Sequence, residues 1–105
     1  MIFEPSPDWR GYRELELAVG NPGTEPLDLT VRIDDRAHDG RFEDRYNGVF
    51  RVEAGARRRI AIALTEIEAA PRGRRMDLAH MGLVAVFRAE AGPPGAFLLE
   101  RVQLR

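Results

Sequence analysis

The sequence predicts an all-β protein: an antiparallel β-sandwich or jelly roll with one or two short helical turns. Pro and Gly divide the 105 residues at short intervals, and the segments between them alternate apolar and polar residues. Side chains of successive strand residues point to opposite faces, so this alternation is typical of strands that bury one face. Roughly six to eight such segments, with a turn about every 8 to 12 residues, favour a sandwich. Without a long linker or a shift in composition, residues 1–105 are expected to form one domain.

The strands are assigned in chain order from this alternation. Tyr12–Val19, Leu27–Ile33 and Ile60–Leu64 place apolar side chains at every second position. Leu83–Phe87 is apolar on both faces, which is typical of a strand in the interior of a sheet. Ala96–Leu104 is expected to be the last strand.

One short helix is expected at Thr65–Ala70. Thr65 is a suitable N-cap, acidic residues follow it in the first turn, and Pro71 ends the segment. Met76–Met81 is expected to form another brief turn.

The Asn47-Gly48 pair has two interpretations. The dipeptide is typical of a tight hairpin turn, and it also fits a twist or bulge inside one long strand from Arg41 to Glu53. The long strand is favoured because the apolar phase is kept across the pair. The residues in that phase are Phe42, Tyr46, Phe50 and Val52.

The charge composition argues against nucleic acid as a partner. The sixteen basic residues are all arginines, and seventeen acidic residues leave a formal net charge of −1. A polyanion-binding domain needs a positive surplus. The arginines at 57–59 and 72–75 are therefore expected to be solvated and paired with acids such as Glu14, Glu16 and Glu53.

The chain has no Cys, which excludes disulfides and thiol chemistry, and no apolar run long enough to cross a bilayer.

A polar cluster begins at the end of the second predicted strand and continues onto the next one. Planar polar side chains can hydrogen-bond the adjacent hydroxyls of a sugar, and Trp9, Tyr12 or Tyr46 could stack on its apolar face. In the structural interpretation, the cluster forms turns and Asp44 makes an internal ion pair with Arg45. The residues themselves leave both interpretations open. The cluster consists of Asp34, Asp35, His38, Asp39, Asp44, Arg45 and Asn47.

The aromatic residues and the remaining chemistry limit the function classes. Trp9, the only Trp, is either a stacking surface or a buried core residue, whereas Tyr12 is out of phase with the core and is expected to be exposed. No cofactor is expected; the oxygen-rich cluster around His38 would suit calcium better than zinc, but its spacing matches no EF-hand loop. Ser6 is the only Ser and no Gly-x-Ser-x-Gly motif is present, so an enzyme is not expected.

Glu100 conflicts with the alternation of the last strand. Its phase is that of Leu98, Val102 and Leu104, and an unpaired buried carboxylate is very costly. Either a bulge reverses the phase there, or an Arg or a cation lies against the carboxylate. We expect an Arg partner or exposure at a sheet edge.

Several segments together resemble a known family. They are Trp9-Arg10-Gly11-Tyr12, Asn21-Pro22, Ile33-Asp34-Asp35-x-x-His38, Phe42-Glu43-Asp44-Arg45-Tyr46-Asn47, Phe50-x-Val52-x-Ala54-Gly55 and Ala70-Pro71-Arg72-Gly73-Arg74-Arg75-Met76-Asp77-Leu78. The pattern covers nearly the whole chain. It resembles the C-terminal, carbohydrate-binding-module-like jelly roll of bacterial VanZ-like membrane proteins and, more loosely, galactose-binding-like sandwiches attached to glycoside hydrolases.

The resemblance implies a non-catalytic module that binds a glycan or cell-envelope polysaccharide on the extracytoplasmic face of the envelope. It also implies a longer parent chain whose transmembrane helices anchor the module. Related modules often end with an Asp near a structural calcium site, where this sequence has Glu100. The alternative is a structural or interaction domain of a VanZ-like protein with no sugar ligand, and the sequence leaves the oligomeric state open. The expected glycan contacts are Trp9, Tyr12, Asp34, Asp35, His38, Arg45 and Asn47.

Overall fold

Two antiparallel sheets form the sandwich in the computed structural model, which describes residues 6–89 and 96–105 and the backbone of residues 2–3. One sheet has the strand order β1-β6-β3-β4, and the other has the order β5-β2-β7. The all-β sandwich predicted from the alternation is confirmed. The described strands are β1 Ile2–Phe3, β2 Glu14–Gly20, β3 Leu27–Asp35, β4 Tyr46–Val52, β5 Arg57–Ala63, β6 Met81–Arg88 and β7 Leu98–Leu104.

The chain alternates between the two sheets, as it does in a jelly roll. Among the described strands, only β3 and β4 are both consecutive in the chain and adjacent in one sheet. β6 lies between β1 and β3, which confirms the interior position expected from its apolar faces. Because the other connections cross between sheets, residues far apart in sequence meet at the ends of the sandwich.

The core lies between the inward faces of the two sheets. Leu15 and Leu17 of β2 pack in the same cluster as Val31 and Ile33 of β3, at the alternate positions that the sequence predicts. The cluster extends beyond the strands to Trp9.

The helix and the turn before β4 differ in detail from the predictions. α1 spans Leu64–Ala69 and has Ala63, not Thr65, at its N-cap position, with no side-chain cap. It begins earlier than expected, directly after the last residue of β5, and the Leu64 N–H donates to the Arg13 carbonyl over 2.8 Å. A 3₁₀ turn occupies Phe42–Asp44.

Asn47-Gly48 lies inside β4, paired with β3, so the hairpin interpretation is wrong. The long strand is only partly right, since β4 begins at Tyr46. Gly48 is required for space: a Cβ there would lie 2.6 Å from the Tyr46 hydroxyl and 2.8 Å from the Phe50 ring. Phe42, assigned to the core phase, belongs to the preceding turn and is 65% exposed.

Glu100 lies at a bulge in β7. Ala18 pairs with Arg101 and Val19 pairs with Leu99, so Glu100 is left out of the register. Its carboxylate is 3.2 Å from Nε of Arg57. The expected Arg partner is confirmed, and the bulge that the sequence left as an alternative is also present.

Candidate functional site

Arg74 binds two carboxylates from separate segments, and we call these three residues the Arg74 network. Nη1 and Nη2 each donate to Asp35, at the end of β3, over 2.8 Å. Nε and Nη2 donate to Asp44, in the 3₁₀ turn, over 2.6 and 3.1 Å. Nη1 also donates to the Arg75 carbonyl at 3.2 Å, so every N–H of the guanidinium has an acceptor.

The carboxylates of the network accept further hydrogen bonds. The Asp77 N–H donates to Asp35 over 2.7 Å, and the Asp39 N–H donates to Asp44 over 2.9 Å. Nδ1 of His38 lies 2.9 Å from the backbone carbonyl oxygen of Asp44 and 3.4 Å from the Asp44 carboxylate. Since a carbonyl oxygen only accepts, Nδ1 is the donor of the shorter contact.

The network keeps both carboxyls ionised. Burial raises the pKa of Asp35, but the hydrogen bonds from Arg74 and the Asp77 N–H outweigh it, and the pKa lies below its usual value. The hydrogen bonds from Arg74 and the Asp39 N–H hold the pKa of Asp44 far below its usual range. Hydrogen bonds to both carboxylates raise the pKa of Arg74. The network therefore joins β3, the 3₁₀ turn and the loop after α1.

Two site predictions are corrected by this network. Asp35 has a fully buried carboxylate whose oxygens are used within the protein, so it offers no surface to a glycan. The internal ion pair expected between Asp44 and Arg45 is wrong, because Asp44 binds Arg74 from 30 residues away.

Asp34 stabilises a break in the register between β3 and β6. The register shifts between Ile33 and Asp35, and the Asp34 carboxylate accepts a hydrogen bond from the Leu83 N–H over 2.9 Å. Oδ1 lies so close to Gly82 that a Cβ there would be 2.5 Å away. Asp34 therefore has a structural role, and Gly82 is needed for the close approach.

Gly82→Ala is expected to reduce the free energy of unfolding by about 1–3 kcal/mol, because the new methyl displaces the carboxylate that accepts from Leu83. Urea unfolding measures the change. Gly20→Ala is the matched strand control, since its Cβ would have its nearest neighbours at 3.6–3.9 Å. Equal unfolding midpoints for the two variants would contradict this role of Gly82.

The predictions for Trp9 and Tyr12 have different outcomes. Trp9 is 0% exposed, its Nε1 donates to the Ser6 carbonyl over 2.8 Å, and its backbone N–H donates to the Leu78 carbonyl over 2.7 Å. The interpretation of Trp9 as a stacking surface is wrong. Tyr12 is 48% exposed, as expected from its phase.

Two depressions lie near the polar cluster. One, of about 550 Å³, is bordered by Asp34, Asp35 and His38, each of which already makes a side-chain hydrogen bond within the protein. The other, of about 530 Å³, lies between the start of β4 and α1 with its following loop, and we call it the Phe42 groove. Its lining includes Phe42, Arg45, Tyr46, Asn47, Glu66 and Arg72.

Three side chains position one another in the Phe42 groove. The Arg45 guanidinium lies over the Phe42 ring, 5.3 Å from its centroid. Nε of Arg45 donates to Oδ1 of Asn47 over 2.9 Å, and Nδ2 of Asn47 donates to the Phe42 carbonyl over 2.9 Å. An exposed ring and two planar polar groups thus face one groove.

Sequence reasoning found Arg45 and Asn47 but missed Phe42. The alternation placed Phe42 in the core phase because the 3₁₀ turn that interrupts the phase was not anticipated. A usable signal was present: Phe42 is flanked on each side by charged residues, Arg41 and Glu43. A single aromatic among charges favours an exposed position.

The metal-ligating residues are only partly brought together. Ligand atoms of His38, Asp39 and Asp44 lie within 4.8 Å of one another, whereas Asp34 and Asp35 bind elsewhere. The absence of a cofactor, with calcium as the alternative at this cluster, stays a prediction.

The arginines of β5 have neighbouring partners. Arg59 lies 2.8 Å from Glu16 and 3.7 Å from Glu14, as expected. Arg58 donates to the Arg51 carbonyl over 2.7 Å and lies over the Phe50 ring. These contacts favour a solvated, paired surface over a continuous basic patch.

No family model matches the chain, and neither a curated protein nor a solved structure matches it. Within the described residues, no helix has the length and hydropathy that a bilayer span requires.

Proposed function

We propose that the chain is a non-catalytic carbohydrate-binding module that holds a glycan in the Phe42 groove. The observation that carries this proposal is the convergence of the exposed Phe42 ring with Arg45 and Asn47 in one groove. Concave sites that combine an apolar surface with a few placed polar groups are typical of small-ligand binding. A sugar offers both an apolar C–H face and adjacent hydroxyls.

The groove supplies matching chemistry for each part of a sugar. The Phe42 ring offers an apolar face that costs little side-chain entropy to hold, since Arg45 already lies against it. The Nη groups of Arg45 and the guanidinium of Arg72 supply donors, Asn47 holds Arg45 in place, and Glu66, on the α1 wall, supplies an acceptor. Arg45 and Asn47 remain from the seven expected contacts, and Phe42 takes the stacking role assigned to Trp9.

The setting of the module is part of the same proposal. The chain resembles the C-terminal domains of VanZ-like proteins. This resemblance supports a cell-envelope polysaccharide as the glycan and a position on the extracytoplasmic face of the membrane. The alternative, a structural or interaction domain, gains some support from Val49, which is 64% exposed on the edge strand β4.

Phe42→Ala is expected to weaken glycan binding about tenfold or more, a loss of about 1.4 kcal/mol, because it removes the apolar face of the groove. Affinity electrophoresis of the purified protein through gels containing cell-envelope polysaccharides measures the change. Tyr12→Ala is the matched control, since it removes an exposed ring that does not line the groove.

The retardation of the wild-type protein and the comparison of the two variants together test the proposal. If Tyr12→Ala abolishes retardation and Phe42→Ala does not, the groove is not the site. If no polysaccharide retards the wild-type protein, carbohydrate binding is overturned. A concentration-dependent dimer in sedimentation experiments would then favour the interaction domain.

A further inference from the structure

We propose that the free edge of β4 is a pairing surface for a second copy of this chain, and that Arg58 of β5 keeps this surface closed. The inference is independent of glycan binding. β4 pairs with β3 on one side and, among the described strands, has no neighbour on the other, and β5 is an edge strand of the other sheet. An open strand edge presents backbone groups that can pair with a strand of another chain, so natural sheets block their edges.

The backbone of Arg51 points toward the free edge of β4. The Ala89 N–H donates to the Asp28 carbonyl over 2.8 Å, so the backbone polar groups of Asp28 point toward β6. Asp28 lies directly opposite Arg51 in the β3–β4 pair. Two opposite residues that do not hydrogen-bond each other turn their backbone groups outward, and this arrangement recurs at every second residue. Arg51, Val49 and Asn47 therefore present their N–H and C=O groups to the free edge.

Arg58 reaches this edge from the other sheet. It is paired with the buried Val19 of β2, so its side chain starts on the inward face of β5. An inward-pointing charge on an edge strand is one of the devices that block edge pairing. Nη1 of Arg58 donates to the Arg51 carbonyl over 2.7 Å, and the guanidinium lies over the Phe50 ring, 5.5 Å from its centroid. One side chain thus occupies an acceptor of the β4 edge and covers a partly buried ring of the core.

Two copies of β4 are complementary in an antiparallel register centred on Val49. In this register Val49 lies opposite its own copy, and Arg51 lies opposite Asn47 of the second copy. The backbone groups that face the edge then meet as hydrogen-bonded pairs. No like charges are directly opposite, and Val49, which is 64% exposed, gains an apolar partner. The Arg51 carbonyl is an acceptor in this pairing, so the hydrogen bond from Arg58 competes with it directly.

Sedimentation velocity over a range of protein concentrations tests the role of Arg58. The wild type is expected to be a monomer, whereas Arg58→Thr should dimerise with a dissociation constant at least about tenfold lower. Arg58→Met should dimerise as well, because it keeps an apolar stem beside Phe50 but has no donor for Arg51. This second variant keeps the test valid if the smaller Thr weakens the fold, which far-UV circular dichroism checks.

Arg57→Thr is the matched control. It removes the same charge from the neighbouring position, where the partner is Glu100 and not the β4 edge, and it should stay monomeric. Val49→Lys, added to Arg58→Thr, identifies the surface. In the expected register it places two ammonium groups opposite each other, so it should restore the monomer.

Four results would overturn the proposal. In the first, Arg58→Thr and Arg58→Met both stay monomeric, so the edge does not pair. In the second, the wild type dimerises as tightly as these variants, so Arg58 does not close the edge. In the third, Arg57→Thr dimerises equally, which shows a general effect of charge. In the fourth, the dimer survives Val49→Lys, which places the contact elsewhere.

Discussion

Arg74→Met should lower the free energy of unfolding by about 3 kcal/mol or more, because it leaves the buried Asp35 carboxylate without its cation. Domains of this size are stable by only about 5–15 kcal/mol, so the loss is large. Met preserves most of the side-chain length, which makes the change mainly one of charge and hydrogen bonding. Urea unfolding followed by far-UV circular dichroism gives the magnitude.

Arg75→Met is the control for the same loop. Arg75 is mostly exposed and lies 3.2 Å from Glu68, so its loss should cost less than about 1 kcal/mol. If both variants unfold at the same urea concentration, the Arg74 network does not hold the sandwich together.

The pH dependence of stability provides a second readout of the Arg74 network. The pKa values of Asp35 and Asp44 are lowered in the folded state, so their contribution is fully present above the unfolded value of about 3.9. It is lost as the pH falls through the lower folded values. The difference between the wild type and Arg74→Met should therefore be largest near neutral pH and should shrink below about pH 4. A difference that stays constant with pH would assign the effect to packing.

Trp9→Ala should destabilise the protein by about 3–5 kcal/mol, because Trp9 is fully buried and the truncation leaves a cavity in the core. It also removes the donor to the Ser6 carbonyl. Since Trp9 is the only Trp, unfolding is followed by circular dichroism rather than by fluorescence.

Two further variants distinguish a core residue from a ligand surface. Trp9→Phe should be intermediate in stability, since it keeps an aromatic ring and loses the indole N–H. Tyr12→Ala should change the free energy of unfolding by less than about 0.5 kcal/mol, because Tyr12 is half exposed. If Trp9→Ala is as stable as the wild type, Trp9 is not the core residue that the structure shows. Loss of glycan binding in an unfolded Trp9→Ala variant would carry no information about contact.

The candidate site was predictable only in part. Arg45 and Asn47 were identified because planar polar side chains followed a strand, and both line the Phe42 groove. Asp35 looked equally suitable from its residue type. Its buried partner, Arg74, is 39 residues away, so no local pattern could separate a ligand contact from an internal ion pair.

Local pattern was enough to recognise the sandwich, because the period of two in side-chain direction is a property of each strand alone. The same reasoning identified the interior strand β6 and the conflict at Glu100. The alternation within a strand does not show which distant segments meet. Those contacts determine the sheet order, the bulge at Asp34 and the carboxylates that Arg74 binds. The groove itself exists because a 3₁₀ turn places Phe42 outside the strand, against a helix that follows two strands later.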